Sequence, residues 1–230
     1  VIVNASDRYL LKHFISLTDV GLYSLAKKCG SVLHMLVTSP FIQTFLPRRF
    51  EIASIKGEET KTILSKIFEY YLFIILTLAV GGALFSREII LLMTTEEYYA
   101  AARYIPLVLL SMVLFGLKYQ FDFGLLYQKK TGLYSKINVT IAILHIILNV
   151  VLIRLMGIYG ALVSLIIVRF LTISGYYFFG QRQYAIPYQL RKAFLLFGMA
   201  CVTFLIPWMI APILPLLIGI VLKIVFFCIF

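Results

Sequence analysis

Apolar runs close to bilayer length follow one another along this chain, parted by short polar connectors. A hydrocarbon layer about 30 Å thick takes about 20 apolar residues of helix, at about 1.5 Å of rise per residue. The pattern predicts about eight such spans: 1–16, 22–42, 67–86, 103–125, 134–153, 158–179, 193–210 and 213–230. The longest polar stretch, 47–66, leaves no room for a soluble domain. The chain opens at Val1 and stops at Phe230 inside apolar runs, so its first and last spans read as cut and the whole as a piece of a longer protein. The fold expected is an all-α polytopic membrane protein.

The connectors alternate in charge. Arg48, Arg49, Lys56, Lys61 and Lys66 lie between the second and third spans, Lys129, Lys130 and Lys136 between the fourth and fifth, and Arg182, Arg191 and Lys192 between the sixth and seventh. The intervening connectors hold Asp19, then Arg87 against Glu88, Glu96 and Glu97, then Arg154. Cytoplasmic loops collect Lys and Arg. Connectors 43–66, 126–133 and 180–192 are therefore expected inside, and the first span runs from inside to outside. Gly157 and Gly160 mark a very short hairpin between the fifth and sixth spans, and Pro207, Pro212 and Pro215 mark the turn between the last two. Pro106 sits in the first turns of a span, where its missing N–H is tolerated. Pro40 either eases a helix end or kinks the second span.

Composition agrees with the pattern. Hydrophobic residues make up 62% of the chain, mean hydropathy is +0.98 and charged residues are 13%, against about 45–50% apolar and 25% charged in soluble domains. The net charge of +11 follows from cation-rich loops and gives no reason to invoke nucleic acid. Cys29, Cys201 and Cys228 lie in apolar runs without metal-ligand spacing, so no disulfide framework, metal or cofactor is expected. The polar loops hold no nucleophile beside a base and no glycine-rich phosphate loop, so no enzyme is expected.

Charges inside spans cost at least about 2.5 kcal/mol near the bilayer centre and are the first candidates for function. Asp7 and Arg8 lie about 14 Å deep by residue count, and Lys12 shares the face of Arg8. Asp7 points about 100° away and needs a partner on another helix. The set is either a packing ion pair or part of a cationic stripe on an aqueous cavity. One of Lys27 and Lys28 can snorkel outward, or both can beside Asp19, or they serve a cavity. His145 and Asn149 share a face of the fifth span, and Arg169 lies at similar depth in the sixth. Arg169 has no acid in its own span, so Asp7 or another carboxylate meets it, or it faces water. Lys118 and Asp122, four apart, suggest a salt bridge. Tyr9, Tyr23, Tyr119, Tyr127 and Tyr134 mark interfaces. Arg8, Lys12, Lys27, Lys28, Lys118, Arg169 and Lys223 outnumber Asp7, Asp122 and Glu69, and a cation-rich interior suits an anionic, phosphate-bearing solute.

Several stretches carry a family resemblance. They are Asp7-Arg8-Tyr9-Leu10-Leu11, Asp19-Val20-Gly21-Leu22-Tyr23-Ser24-Leu25-Ala26-Lys27-Lys28, Ala101-Ala102-Arg103-Tyr104-Ile105-Pro106, Gln128-Lys129-Lys130-Thr131, Leu148-Asn149, and Gly157-Ile158-Tyr159-Gly160-Ala161. Together, over nearly the whole chain, they resemble the polysaccharide flippases, the Wzx-like branch of the MOP exporter superfamily, related to MATE transporters. Arg154 departs from the family, which often has Pro before the glycine-rich hairpin. The resemblance implies a six-helix C-terminal lobe over 1–180 and two trailing helices over 181–230. It implies translocation of oligosaccharide linked to undecaprenyl diphosphate, from the cytoplasmic to the outer leaflet of the bacterial inner membrane, by alternating access. Such glycans feed O-antigen and other lipopolysaccharide, capsule and exopolysaccharide. The cavity cations would be Arg8, Lys12, Lys27, Lys28 and Arg169. Asp7, His145 and Asn149 would couple transport to protons or sodium, membrane lipid would surround the lobe, and a polysaccharide polymerase would be a partner. The competing readings are a MATE-like cation-coupled drug or metabolite antiporter, which favours an acidic aromatic cavity, and a membrane-embedded enzyme or assembly factor of polysaccharide synthesis, which needs a large catalytic loop.

Overall fold

The computed structural model describes residues 2–54, 58–210 and 216–230, apart from the side chains of 2–6, 8, 58, 216, 217 and 229. The described residues are helical with short joints and no strand. The α-helices are α1 (Ile2–Phe14), α2 (Leu17–Leu33), α3 (Ser39–Ser54), α4 (Glu58–Leu84), α5 (Ser86–Met93), α6 (Ile105–Phe121), α7 (Phe123–Tyr127), α8 (Thr131–Met156), α9 (Ile158–Gln183), α10 (Leu190–Ile210) and α11 (Leu216–Ile229). Six stretches are long and apolar enough to cross a membrane: Leu17–Ser54, Glu59–Leu84, Glu96–Tyr127, Thr131–Met156, Ile158–Gln183 and Leu190–Ile210. The protein is a multi-pass helical membrane protein. Helices α1 and α11, in the two spans that read as cut, are described over 13 and 14 residues.

Local chemistry explains the joints. Ser16 caps α2: its hydroxyl accepts the Asp19 N–H at 3.1 Å and donates to the Asp19 carboxylate at 2.7 Å. A π turn, His34–Thr38, joins α2 to α3, and the Ser39 N–H reaches back five residues to the His34 carbonyl. Pro40 follows directly and brings no N–H, so the widened turn carries one helix through it. The second span therefore does not end near Phe41 and Ile42. It continues to Ser54, and most of the polar stretch expected as loop is helix. Gly157 joins α8 to α9 at φ +60°, where a side chain would be strained.

The two sets of connectors collect at opposite ends of the bundle, as alternating spans require. At one end the Ser65 hydroxyl donates to the Pro187 carbonyl at 2.8 Å, Tyr127 to Ala53 at 3.0 Å and Tyr188 to Gln120 at 2.9 Å. Burial pushes the Tyr188 phenol above its ordinary range, so it stays a donor. At the other end Arg154 lies over the Phe14 ring at 4.5 Å and Tyr104 packs on Tyr159.

Helix α6 is the hub. It packs against α2, α4 and α9, and almost every turn of it is buried. Helices α8 and α9 form the closest pair, α1 lies on α2 and α8, and α10 and α11 dock on α4. The outer faces are apolar: Val139, Ile143, Ile147 and Val151 of α8, and Phe194, Leu195 and Val202 of α10 are exposed. An apolar exterior of this extent suits lipid rather than water.

Candidate functional site

A closed polar cluster sits where α1, α2, α8 and α9 meet. Helix α2 turns Tyr23 and Lys27 to one face, four residues apart, and α8 does the same with His145 and Asn149. Asp7 of α1 lies between them with 0% exposure. One carboxylate oxygen accepts from the Tyr23 hydroxyl at 2.6 Å and the Lys27 ammonium at 3.0 Å. The other accepts from the Asn149 amide at 2.7 Å and lies 3.6 Å from His145 Nε2. The Asn149 amide is also 3.3 Å from His145 Nε2, and Ser164 of α9 donates to the Asn149 side-chain carbonyl. If Asn149 donates to Nε2, the imidazole is neutral and carries its proton on Nδ1, a buried atom with no partner.

The expectation that Asp7 needs a partner on another helix therefore finds three, on two helices. Lys27 turns inward to Asp7, while Lys28 beside it and Lys12 on α1 are exposed. The Arg8 side chain lies outside the described residues. Tyr23 is a correction: it is no interface marker but a fully buried donor. Ser164 carried no signal in the sequence beyond a hydroxyl in an apolar span. Tyr23 did carry one, since it sits one turn before Lys27.

Arg169 forms a separate site. From α9 it donates to the carbonyl and hydroxyl of Ser111 on α6, the latter at 3.2 Å, and its guanidinium lies 4.9 Å from the centre of the Phe115 ring. His34, at the start of the π turn, also packs on Phe115, with ring centres 5.5 Å apart. Among the described residues no carboxylate forms an ion pair with Arg169, and the side chain is only partly buried. Among the described residues, neither Asp7 nor another acid forms the ion pair the sequence left open for it.

Two further expectations change. Lys118 makes no salt bridge with Asp122; its ammonium lies 5.8, 5.6 and 5.5 Å from the ring centres of Tyr119, Tyr134 and Tyr176. Asp122 is 1% exposed, with one carboxylate oxygen unpartnered, at the break between α6 and α7. Arg49 is no solvated loop cation. It is 3% exposed, donates to the Tyr119 carbonyl at 2.6 Å and stacks on Phe123 at 5.2 Å. Lys223, counted among the span cations, pairs with Glu88 at 2.6 Å. Among the described residues no His, Cys, Asp and Glu side chains gather to hold a metal. No protein-family model matches this chain, and no curated protein or solved structure matches it.

Proposed function

We propose that this chain is part of a membrane transporter that moves a lipid-linked anionic glycan between leaflets. In this reading it is a MATE-like C-terminal lobe of about six spans over 1–180, two trailing helices over 181–230 complete a set of about eight, and all sit in a bacterial inner membrane. The cargo is oligosaccharide on undecaprenyl diphosphate, destined for surface polysaccharide. The protein makes and breaks no bond in the cargo. A polysaccharide polymerase is its partner downstream.

The observation that carries the reading is Arg169. A guanidinium in a membrane-crossing helix is costly. Here it is only partly buried, is braced on a carbonyl, a hydroxyl and an aromatic face, and has no carboxylate partner among the described residues. That leaves N–H groups for an arriving diphosphate, the anion a planar guanidinium grips in two-pronged fashion. Lys12 and Lys28 add exposed cations. Asp7, with His145 and Asn149, gives the reading a place for a coupling proton or sodium ion: a carboxylate and an imidazole within 3.6 Å, closed from solvent. Lys27 acts there as the tethered counter-cation an incoming proton would displace, rather than as a contact to cargo.

The test is flipping of labelled undecaprenyl-diphosphate oligosaccharide by the full-length protein in proteoliposomes, beside Arg169→Ala. The parent should transport and the variant should lose about tenfold or more, the scale of one charge-assisted contact. Equal transport by both removes Arg169 from the path. No transport of any of several anionic glycans by a folded parent sinks the function.

A further inference from the structure

A cavity of about 870 Å³, which Arg169 does not line, lies at the end of the bundle where α4 turns into α5. Helices α10 and α11 close it from the other side, and the segment 96–104 forms its floor. Its volume is in the range of sites that take a drug-sized ligand.

The lining divides in two. One part is charged: Arg87, Glu88, Arg103 and Lys223. Lys223 and Glu88 satisfy each other at 2.6 Å. That leaves two guanidiniums. Arg87 is exposed and makes no ion pair, and Arg103 spends only its Nε, on the Ala100 carbonyl at 3.2 Å, with its guanidinium 5.5 Å from the Tyr104 ring. Among the described residues neither has a carboxylate partner. The other part is apolar, with Phe204 and Trp208 of α10 on the wall. Trp208 is 59% exposed near the end of α10, and indoles are enriched at the edges of bilayers. Next to the cavity α5 turns Leu92 and Met93 outward at 86% and 76% exposure, as a helix lying along that edge would.

Two unpaired guanidiniums at the rim, an apolar wall and an opening at the bilayer edge describe an amphiphile: an anionic head and a hydrocarbon tail. We propose that the cavity binds an anionic phospholipid of the phosphatidylglycerol class. Its phosphate lies between Arg87 and Arg103, and an acyl chain runs along α10. Arginine matches phosphate geometry. The position gives the lipid a role. Helices α10 and α11 touch the bundle mainly through α4 and each other, so a lipid in this cavity bridges them to the α4–α5 corner. The site stands apart from the transport reading and shares no residue with it.

The full-length protein, stripped of lipid in a neutral detergent, is titrated with phosphatidylglycerol, phosphatidylcholine or glycerol 3-phosphate while its unfolding midpoint is followed. A ligand that binds the folded state raises the midpoint. Phosphatidylglycerol should act at concentrations about tenfold below phosphatidylcholine, and the Arg87→Gln/Arg103→Gln variant should need about tenfold more of it. Arg182→Gln, at the opposite end, should titrate like the parent. A photoactivatable phosphatidylglycerol should label peptides that carry Arg87, Arg103 or Trp208. An equal response to phosphatidylcholine, a full response to glycerol 3-phosphate alone, an unchanged double variant, a matching loss in Arg182→Gln, or labelling confined to other peptides overturns the site.

Discussion

Asp7 has no exposed surface, yet its carboxylate is met by a phenol, an ammonium and an amide drawn from α2 and α8. Such a group is stable only while every member stays, because each bond there is charge-assisted and each loss strands a buried partner. Asp7→Ala takes the buried carboxylate away from the Lys27 ammonium, the Tyr23 hydroxyl and the Asn149 amide and should cost about 3–5 kcal/mol in unfolding free energy. Asp7→Ala/Lys27→Met should recover more than half of that loss, and a double variant as unstable as the sum of its parts would show that the two residues do not act as a pair. The need for a partner was readable in the sequence, because one helical step separates Asp7 from the face of Arg8. The partner's identity was not, since it depends on how α1 crosses α2 and α8. Lys118 shows the same limit. Its spacing permits a bond to Asp122, but the ammonium goes to the faces of Tyr119, Tyr134 and Tyr176.

Among the elements, the α8–α9 hairpin was plain from Gly157 and Gly160. Gly157 holds φ +60°, and a Cβ on Gly160 would stand 1.9 Å from the Leu152 carbonyl oxygen. Gly157→Ala should therefore destabilise by about 1–3 kcal/mol. Gly132→Ala, in the first turn of α8 with nothing within 4 Å of an added Cβ, should be neutral or stabilise by about 0.5–1 kcal/mol. Thermal or denaturant midpoints of the two variants decide it, and equal effects would mean the backbone at Gly157 relaxes freely. The course of α3 was hidden. The connector 43–66 reads as a polar loop and Pro40 as a residue of the second span, and apolar periodicity carries no trace of a π turn. What keeps the stretch helical is tertiary: Arg49 turns inward to Tyr119 and Phe123, and the Ala53 carbonyl is taken by Tyr127.

At the scale of the molecule, six crossing-length helices were legible from run length, and so was the sorting of connectors to two ends. Which end faces the cytoplasm is a matter of labelling. With Cys29, Cys201 and Cys228 replaced by Ser, Lys129→Cys should react with an impermeant maleimide only from inside, and Met156→Cys only from outside. Reaction of both from one side contradicts the alternation, and the reversed result turns the molecule over. The single helix from Leu17 to Ser54 touches both ends, and its two halves are out of phase by the one spare residue lodged in His34–Thr38. A residue deleted from that turn would take the spare one out and leave an ordinary α-turn, with the lower half almost where it stands. Tyr23 and Lys27 would stay on Asp7, and Arg49 and Ala53 on Tyr119 and Tyr127. The same codon lost from the regular helix on either side would wind the far half about 100° round its axis and unfasten it.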